Sequence, residues 1–438
     1  MKIHLTAICG TAMGTLAGLL QQAGHEVRGS DQSVYPPMSD QLRSIGITLM
    51  EGYRPENLAW GPELVVIGNA VSKTNLEAEE VLRKNIPYTS QAAALHKFFL
   101  EGRHPVVVAG THGKSTTTAL MAWILTSAGR DPGFFVGAVP KNFGKSFALG
   151  KGEHFVIEGD EYDTAFFDKG PKFLHYAPRT AILTSVEFDH ADIYADLAAV
   201  RAAFEKFVDL IPPDGTLVAC GDSPLVREVA SRCRGKVEPY GISEDVTEWS
   251  GRILDASAKG ARIEVRYGGK IFAEAASPLW GHHNLANQVA TAAASKALGL
   301  SAAEWKKAIE SFQGIRRRQE VRGITPRGVT IIDDFAHHPT AVRETLRALR
   351  MGFPEARLWA VFEPRTNTTR RAVFQKDYAE AFVGADKVVI AAVEKPEKAP
   401  EGDRFDPEQL ARDLKARGQD AEYLFPVDKI VEHLKQHA

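Results

Sequence analysis

The chain has 438 residues, too many for one ordinary hydrophobic core, so we expect about two to four domains. Charged residues make up 25% and hydrophobic residues 44%, as in ordinary soluble globular proteins, and the formal net charge is -2. This balance predicts neither a nucleic-acid partner nor a membrane partner. The three cysteines show no paired metal spacing, which favours free thiols in the cytoplasm.

Residues 1–102 alternate short apolar strands with helical stretches, which predicts an N-terminal, Rossmann-like α/β domain with a parallel sheet. The predicted strands are Ile3–Ile8, Glu26–Gly29, Leu64–Gly68 and Ile86–Thr89, and the predicted helices are Thr15–Ala23 and Leu76–Lys84.

A turn with two glycines, Ile8–Gly14, joins the first strand to the first helix. It imitates a dinucleotide-binding turn, but Ala12 and Thr15 stand where the G-x-G-x-x-G pattern needs glycines. A nicotinamide dehydrogenase is therefore disfavoured. The helix N-terminus could still bind a pyrophosphate, with Ser30 and Asp31 near a base or ribose. Tight helix packing by small residues is the alternative.

A phosphate-binding turn is predicted within residues 106–118, where a buried strand runs into a helix. Backbone N–H groups of such a turn converge on phosphate oxygens, Lys114 adds positive charge, and the Ser115 hydroxyl can reach Mg²⁺. The spacing differs from the general P-loop, because Val108 stands five residues before Gly113. We expect ATP or GTP here; the alternative is a glycine-rich turn without a ligand.

This turn opens a predicted central P-loop ATP-binding α/β domain over residues 103–314, between polar stretches at 101–105 and 314–318. The predicted strands are Pro105–Ala109, Phe155–Ile157, Thr180–Leu183 and Thr216–Ala219, the predicted helices are Thr116–Ala128 and Asn284–Leu298, and Gly251–Ala275 is predicted to be antiparallel.

Two acidic clusters follow strands of this domain, at the strand ends where α/β sheets bind ligands. Residues 158–163 hold four carboxylates, which repel each other unless a cation such as Mg²⁺ lies there. Glu187, Asp189 and His190 would reach the same edge, so two metal ions on one triphosphate is a reasonable arrangement. The alternatives are a solvated loop and a structural histidine.

Asn284 and Asn287 lie three residues apart and so share one helix face, where their amides could contact a purine edge. Asparagine is common at helix starts, so the pair alone is weak evidence.

Residues 315–438 alternate again and predict a C-terminal Rossmann-like domain. Its predicted strands are Val329–Ile332, Arg357–Phe362 and Lys387–Ala391, and its predicted helices are Thr340–Leu349 and Val373–Phe382.

Several segments, taken in order, resemble motifs of the Mur ligases, the ATP-dependent amide-forming enzymes of peptidoglycan synthesis. These segments are Gly110–Thr116, Glu158–Asp163, Ser185–His190, Gly281–Asn287 and Asp333–Pro339, the last resembling the L-alanine-adding branch. Ser185 departs from the family, whose members commonly have asparagine there. The resemblance covers the whole chain and implies a three-domain α/β ligase that uses ATP and Mg²⁺.

Within the family, Ile8–Gly14, Val34–Ser39 and Glu363–Thr368 resemble the branch that acts in peptidoglycan recycling. This implies that UDP-N-acetylmuramate is joined, through an acyl phosphate, to the tripeptide L-Ala-γ-D-Glu-meso-diaminopimelate. One alternative is the ligase that adds L-alanine in de novo synthesis. Another is a nucleotide-dependent binding or regulatory module without amide chemistry. The sequence makes no prediction of the oligomeric state.

The resemblance also implies roles for individual residues. ATP would be bound by Gly110, Thr111, His112, Gly113, Lys114, Ser115, Thr116, Asn284, Asn287 and Arg317. Ser115, Glu158 and His190 would bind Mg²⁺, and Lys114, Glu158, His190, Asp334 and His337 would take part in catalysis. The substrates would be bound by Gly10, Thr11, Met13, Gly14, Ser30, Asp31, His338 and Arg365. For His337 and His338 the alternative is a helix cap ahead of Pro339.

Overall fold

The computed structural model describes residues 1–36, 38–243 and 248–438. Pro37, within the Val34–Ser39 segment, lies outside the described residues. The N-terminal part forms a five-stranded parallel sheet in the order β3-β2-β1-β4-β5. Its strands are β1 (Lys2–Thr6), β2 (Glu26–Asp31), β3 (Thr48–Glu51), β4 (Leu64–Ile67) and β5 (Tyr88–Ser90), and its helices are α1 (Thr11–Gln22), α2 (Met38–Ser44), α3 (Leu76–Arg83) and α4 (Gln91–Leu95).

The predicted N-terminal α/β alternation is confirmed, but α2, α4 and β3 were absent from the prediction and α1 begins earlier than predicted. Helix α1 begins at Thr11, four residues before the predicted start, because Thr11, Ala12 and Gly14 of its first turn give no apolar periodicity. Strand β3 was absent from the prediction, since only Leu49 and Met50 of its four residues are apolar. It is an edge strand that pairs with β2 alone.

The central part is built on a ten-stranded sheet in the order β17-β16-β15-β14-β13-β12-β6-β9-β7-β8. Its strands are β6 (His104–Ala109), β7 (Gly133–Phe135), β8 (Phe147–Ala148), β9 (His154–Gly159), β12 (Thr180–Leu183), β13 (Thr216–Cys220), β14 (Lys236–Gly241), β15 (Trp249–Ser257), β16 (Gly260–Tyr267) and β17 (Lys270–Ser277), while β10 (Asp163–Ala165) and β11 (Asp168–Pro171) form a separate hairpin. Its helices are α5 (Lys114–Ser127), α6 (Leu197–Asp209), α7 (Pro224–Ala230), α8 (His282–Ala297) and α9 (Ala302–Glu310).

Strands β6, β9 and β12 lie side by side in the middle of this sheet and are parallel. Ala109 of β6 is in register with Gly159 of β9 and with Leu183 of β12, so all three strands end at one level. The segments that follow them meet at the same edge, as parallel strands require. The predicted antiparallel region is also confirmed, as β15, β16 and β17 pair antiparallel.

The C-terminal part has a three-stranded parallel sheet in the order β20-β21-β22. A hairpin of β18 (Glu320–Ile324) and β19 (Thr330–Asp333) precedes it. The remaining elements are β20 (Trp359–Phe362), β21 (Lys387–Ala391), β22 (Ala421–Leu424), α10 (Pro339–Gly352), α11 (Gln375–Ala381), α12 (Pro407–Ala416) and α13 (Val427–His437). None of the helices in the described ranges is long and apolar enough to cross a bilayer.

The strand predicted at Val329–Ile332 exists as β19, but it lies outside the three-stranded parallel sheet of the Rossmann-like part. It pairs antiparallel with β18, because the chain reverses at Thr325, whose carbonyl accepts the N–H of Gly328 at 2.9 Å. Gly328 has φ +84°, a conformation that glycine adopts without strain. Domain boundaries near residues 102 and 314 stay predictions.

The N-terminal part packs directly on the central part through α1 and β8. A Cβ atom at Gly18 would overlap the ring of Phe147, so only glycine allows this approach. Beside it, the hydroxyls of Thr15 and Ser146 are hydrogen-bonded at 3.1 Å. Gly18 and Thr15 of α1 thus serve packing between the N-terminal and central parts.

Candidate active site

A cavity of about 380 Å³ lies at the edge where β6, β9 and β12 end, between the central and C-terminal parts. Most of the predicted nucleotide, metal and catalytic residues line it: Thr111, His112, Gly113, Lys114, Ser115, Thr116, Glu158, His190, Asn284, Asn287, Asp334, His337 and His338. Gly110, Arg317, Arg365 and the predicted N-terminal residues are not among the described residues that line it.

The turn between β6 and α5 has the shape expected of a phosphate-binding loop. Gly113 has φ +80° and precedes the first residue of α5, and a Cβ atom there would lie 2.6 Å from Asn287 Oδ1. At Gly110, with φ +135°, a Cβ atom would overlap the Thr184 hydroxyl. Both glycines are therefore required by the local backbone and its neighbours. The positive N-terminus of α5 faces the cavity, where it favours an anion.

Lys114 is held by carboxylate and carbonyl oxygens at the base of this loop. Its Nζ donates to both oxygens of Glu161, at 2.9 and 2.8 Å, and to the Gly110 carbonyl at 2.6 Å. Burial alone would lower the pKa of Lys114, but Glu161 and Asp160 outweigh it and raise that pKa above its usual value. The side chain is therefore a fixed positive charge. The sequence did not single out Glu161 from the other carboxylates of the acidic segment 158–163.

Ser115 and Glu158 present adjacent oxygen atoms to the cavity. Ser115 Oγ donates to Glu158 Oε1 at 3.0 Å, and Glu158 Oε2 accepts the N–H of Gly137 at 2.8 Å. A hydroxyl and a carboxylate beside a phosphate loop form a donor set that suits Mg²⁺, a hard cation that prefers oxygen ligands. These two residues therefore fit the predicted metal.

His190 reaches the same area from the loop after β12. Its Nε2 lies 3.4 Å from Glu161 Oε1, and its ring packs edge-on against Tyr162. Burial lowers the pKa of His190, but Glu161 and Asp189 outweigh burial, so the pKa is raised overall. This raised pKa makes a proton a stronger competitor with a metal ion for the ring, because only neutral imidazole binds metal.

A cluster of His112, Glu187 and His338 joins the central and C-terminal parts, and its ligand atoms lie within 4.8 Å of one another. His338 Nδ1 accepts the N–H of Thr340 at 3.2 Å, and its Nε2 lies 3.3 Å from the Phe188 carbonyl, to which it donates in that tautomer. Both ring nitrogens are therefore engaged. The cluster is a group of hydrogen bonds between the two parts, to which Thr340 adds a bond from its Oγ1 to Glu187 at 2.9 Å. Because both nitrogens of His338 are already hydrogen-bonded, the cluster does not fit a metal.

His338 is the N-cap of α10, the alternative that the sequence left open for this residue. Burial and His112 lower its pKa to about 4, so it is neutral at physiological pH. His337 lines the cavity, with its Nδ1 3.0 Å from the Phe335 carbonyl, and burial lowers its pKa.

The arginine that enters the cavity is Arg318, whereas the sequence predicted Arg317. Arg318 Nη2 lies 3.4 Å from Ser115 Oγ, to which it donates. Arg317 has φ +58° and its Nε lies 3.6 Å from a carboxylate oxygen of Asp333 instead. Neighbouring side chains point in different directions here. Residues 316–318 are all arginine, so the sequence alone could not show which of them lines the cavity.

Asp334 acts on the backbone beside this arginine. Its two carboxylate oxygens accept the N–H groups of Gln319 and Ala336, at 2.7 and 2.6 Å. Burial raises the pKa of Asp334. The contacts indicate that Asp334 shapes the cavity wall.

Asn284 and Asn287 share one face of α8, as predicted, and their amides are 3.4 Å apart. Asn284 Nδ2 also donates to the Trp280 carbonyl at 2.8 Å and to Gln319 Oε1 at 3.1 Å. His283, which sequence analysis missed, lines the cavity with its Nδ1 lacking a hydrogen-bond partner in the described ranges. Its position within the Gly281–Asn287 motif is the sequence feature that could have identified His283 as a site residue.

In the N-terminal part, Gly10 and Thr11 are exposed at the start of α1, while Met13 and Gly14 are buried. A Cβ atom at Gly14 would overlap the Met38 side chain, which is a packing role. Asp31 Oδ2 accepts the N–H of Cys9 at 2.9 Å and thereby fixes the turn.

The expectation that Ser30 offers its hydroxyl to a ligand was wrong. Ser30 is fully buried, and its hydroxyl donates to Glu77 Oε2 at 2.6 Å. Sequence periodicity could not reveal this, because Glu77 lies on α3, far along the chain.

Arg365 follows β20 on an exposed segment. Its Nε lies 3.0 Å from a Glu394 carboxylate oxygen, and its Nη1 lies 3.9 Å from Glu363. The Arg365 side chain is 60% exposed and remains open to a further carboxylate.

Family models match the chain in the order in which its three parts occur. They are the Mur ligase family catalytic domain at residues 2–103, the Mur ligase middle domain at 108–295, and the Mur ligase glutamate ligase domain at 316–438.

Among similar proteins, a UDP-N-acetylmuramate–L-alanyl-γ-D-glutamyl-meso-2,6-diaminoheptandioate ligase of Escherichia coli is 45% identical over 89% of this chain and 84% of its own length. A protein of the same name from Haemophilus influenzae is 40% identical over 89% of this chain and 85% of its own. A UDP-N-acetylmuramate–L-alanine ligase of Caldanaerobacter subterraneus is 32% identical over 100% of this chain and 92% of its own.

The chain is also similar to the crystal structure of a murein peptide ligase from Psychrobacter arcticus. The TM-score is 0.75 and the identity 34%, over 100% of this chain and 93% of that chain. The similarity therefore includes all three parts, and the phosphate loop, acidic clusters and α8 motif of the resemblance meet at one cavity. On these grounds the chain belongs to the Mur ligase family.

Proposed function

We propose that this chain is a ligase that uses ATP to join UDP-N-acetylmuramate to L-alanyl-γ-D-glutamyl-meso-diaminopimelate in peptidoglycan recycling. The observation that carries the proposal is the 45% identity, over most of both chains, to a relative named for this reaction. Mur ligases use ATP and Mg²⁺, and the cavity combines a phosphate loop with oxygen ligands. The need for ATP and the free thiols support a cytoplasmic location.

The reaction proceeds in two steps. The γ-phosphoryl group of ATP passes to the carboxylate of UDP-N-acetylmuramate, which gives an acyl phosphate and releases ADP. The tripeptide amine then attacks the acyl carbon, and inorganic phosphate leaves as the amide forms. Positioning and charge neutralisation supply most of the catalysis in such a phosphoryl transfer.

Lys114 and the N-terminus of α5 hold the transferring phosphoryl group, since both place positive charge at the phosphate loop. Ser115 and Glu158, with His190, hold Mg²⁺, which when bound offsets charge on the phosphate oxygens. Arg318 adds a guanidinium beside Ser115 and takes the place first assigned to Arg317.

Asn284 and Asn287, on α8, hold the nucleoside part of ATP beside the loop, with Thr111, His112 and Thr116 around its phosphates. The exposed start of α1, at Gly10 and Thr11, binds the diphosphate of the UDP-sugar. Arg365 pairs with a carboxylate of the tripeptide, which free L-alanine lacks in that position.

The activity is tested by mass spectrometry of the product made from UDP-N-acetylmuramate, ATP and Mg²⁺ with either tripeptide or L-alanine. The proposal expects the tripeptide product. Accumulation of the L-alanine product instead would assign the chain to the de novo reaction, which the L-alanine ligases at 32% identity represent.

A second measurement separates an enzyme from a binding or regulatory module. Phosphate release should require both the UDP-sugar and the amine donor. Release that is independent of both, or no release at all, would contradict the ligase assignment.

A further inference from the structure

The loop that carries His190 belongs to the central part but is held by the C-terminal part. Phe188 packs against the C-terminal core, with its ring centroid 6.4 Å from that of Phe374. Arg371 Nη1 donates to the Ala191 carbonyl at 2.6 Å, and Arg371 Nε is anchored on Asp403 at 2.6 Å. The conformation of this loop therefore depends on residues that follow β20.

One of these contacts lies directly next to His190. Thr368 Oγ1 donates to Asp189 Oδ1 at 3.1 Å, and the two residues are 5% and 6% exposed. The same carboxylate oxygen accepts the backbone N–H of His190 at 2.6 Å. Thr368 therefore fixes the orientation of the carboxylate that holds the His190 backbone.

This backbone needs such support. His190 has φ +53°, in the left-handed region that residues with a side chain rarely adopt. A conformation of this kind persists where the surrounding contacts enforce it. The Asp189 carboxylate supplies one of those contacts, and its loss would let His190 turn its ring away from Glu161 and the phosphate loop.

We propose that Thr368 is a positioning residue for metal binding, which acts on His190 through the Asp189 carboxylate and so couples the C-terminal part to the metal site. The inference rests on the proposed function, because it takes His190 to be a metal ligand. Thr368 ends the Glu363–Thr368 segment that carries Arg365. A tripeptide held at Arg365 would therefore contact the segment that orients His190.

The test uses Thr368→Val, which removes the hydroxyl and keeps the shape of the side chain. Mn²⁺ serves as the probe, and its affinity is measured by equilibrium dialysis against the full-length protein with a non-hydrolysable ATP analogue. Loss of a direct hydrogen-bond partner of a metal ligand typically weakens metal affinity by about tenfold to a hundredfold. Thr368 acts one contact further away, through Asp189, so we expect a loss near the lower end of that range, about tenfold. Thr368→Ser should restore most of the affinity.

Thr369→Val is the matched control, because Thr369 is equally buried and its hydroxyl donates within its own segment, to the Thr366 carbonyl at 3.1 Å. It should bind Mn²⁺ like the original protein. Equal affinity in Thr368→Val and the original protein, or equal weakening in both valine variants, would overturn the inference. If Thr368→Val does not fold, as judged by its melting temperature, Thr368→Ala is measured in its place.

The two proposals fail in different ways. Absence of tripeptide ligation by the original protein contradicts the proposed function, whereas the Mn²⁺ comparison decides the role of Thr368. In an active ligase, Thr368→Val should raise the Mg²⁺ concentration needed for half-maximal rate while leaving the KM for UDP-N-acetylmuramate unchanged. A change in that KM alone would contradict the inference.

Discussion

Both carboxylate oxygens of Glu161 accept hydrogen bonds from Lys114 Nζ, at 2.9 and 2.8 Å. The pair lies at the base of the phosphate loop, and the Glu161 side chain is only 2% exposed. Glu161 also contacts His190 at 3.4 Å. The Glu161 carboxylate thus neutralises Lys114, the lysine assigned to phosphate binding, and also approaches His190, the histidine assigned to metal binding. An incoming phosphate must therefore compete with Glu161 for the charge of Lys114.

Replacing Lys114 with alanine should lower kcat/KM by at least about a hundredfold, as removal of a single charge-stabilising donor does in other active sites. Lys169→Ala is the control, because Lys169 is exposed and pairs with Asp163, away from the cavity. Steady-state phosphate release measures both variants. A loss of less than about tenfold for Lys114→Ala, roughly 1.4 kcal/mol, would contradict the phosphate-loop assignment.

Glu161→Gln should lower the melting temperature of the ligand-free protein, because it removes the counter-charge of a buried ammonium group. ATP replaces that charge with phosphate oxygens, so the rise in melting temperature on adding ATP should exceed that of the original protein by at least about 2 °C. Differential scanning fluorimetry measures the melting temperatures with and without ATP. Glu408→Gln is the control, because Glu408 forms an exposed ion pair with Arg412. A smaller rise in Glu161→Gln would show that the ion pair does not compete with ATP.

Arg318→Ala should reduce kcat/KM more than Arg317→Ala, by about tenfold or more, because only Arg318 reaches Ser115 in the cavity. The two variants are matched, since they delete the same side chain at adjacent positions. Initial rates at saturating tripeptide and UDP-N-acetylmuramate, measured over a range of ATP concentrations, give kcat/KM for ATP in both variants. Equal losses, or a greater loss for Arg317→Ala, would restore the assignment made from the sequence.

Glu77→Gln should destabilise the N-terminal part by about 1–3 kcal/mol at neutral pH. The fully buried Glu77 carboxylate accepts hydrogen bonds from Thr6, Ser30 and Asn57 and lies 3.3 Å from His4 Nε2. Burial raises the pKa of Glu77, but His4, Ser30 and Asn57 outweigh burial and lower it below the ordinary 4.5.

The pH dependence of this effect follows from that lowered pKa. The contribution of the charged carboxylate is complete above pH 4.5 and is lost as the pH falls through the folded-state pKa. Urea unfolding of both proteins should therefore show a difference in unfolding free energy at neutral pH that shrinks in acid. A difference that stays constant into acid would contradict the role of the charge.

Local sequence patterns predicted the strands and helices that position the site, because β6, β9 and β12 are buried on both faces and form continuous apolar runs. They also placed the phosphate loop and both acidic clusters at one sheet edge. Patterns could not distinguish Arg317 from Arg318, because the direction of each side chain depends on φ values set by tertiary contacts.

Contacts between distant segments were equally inaccessible from the sequence. Ser30 is buried against Glu77 from another element, and Thr368 contacts Asp189 across two parts of the chain. Strand β19 had a clear strand pattern, but its antiparallel pairing with β18 depends on the turn at residues 325–328. Pairing and burial of this kind are properties of the assembled fold.

A competition assay between the two amine donors decides which of them the ligase uses. Equal concentrations of L-Ala-γ-D-Glu-meso-diaminopimelate and free L-alanine are supplied with UDP-N-acetylmuramate, ATP and Mg²⁺, and both products are quantified by mass spectrometry. We expect a preference for the tripeptide of at least about a hundredfold, or about 2.7 kcal/mol, within reach of one or two charge-assisted hydrogen bonds at Arg365. Equal or greater use of L-alanine would contradict it.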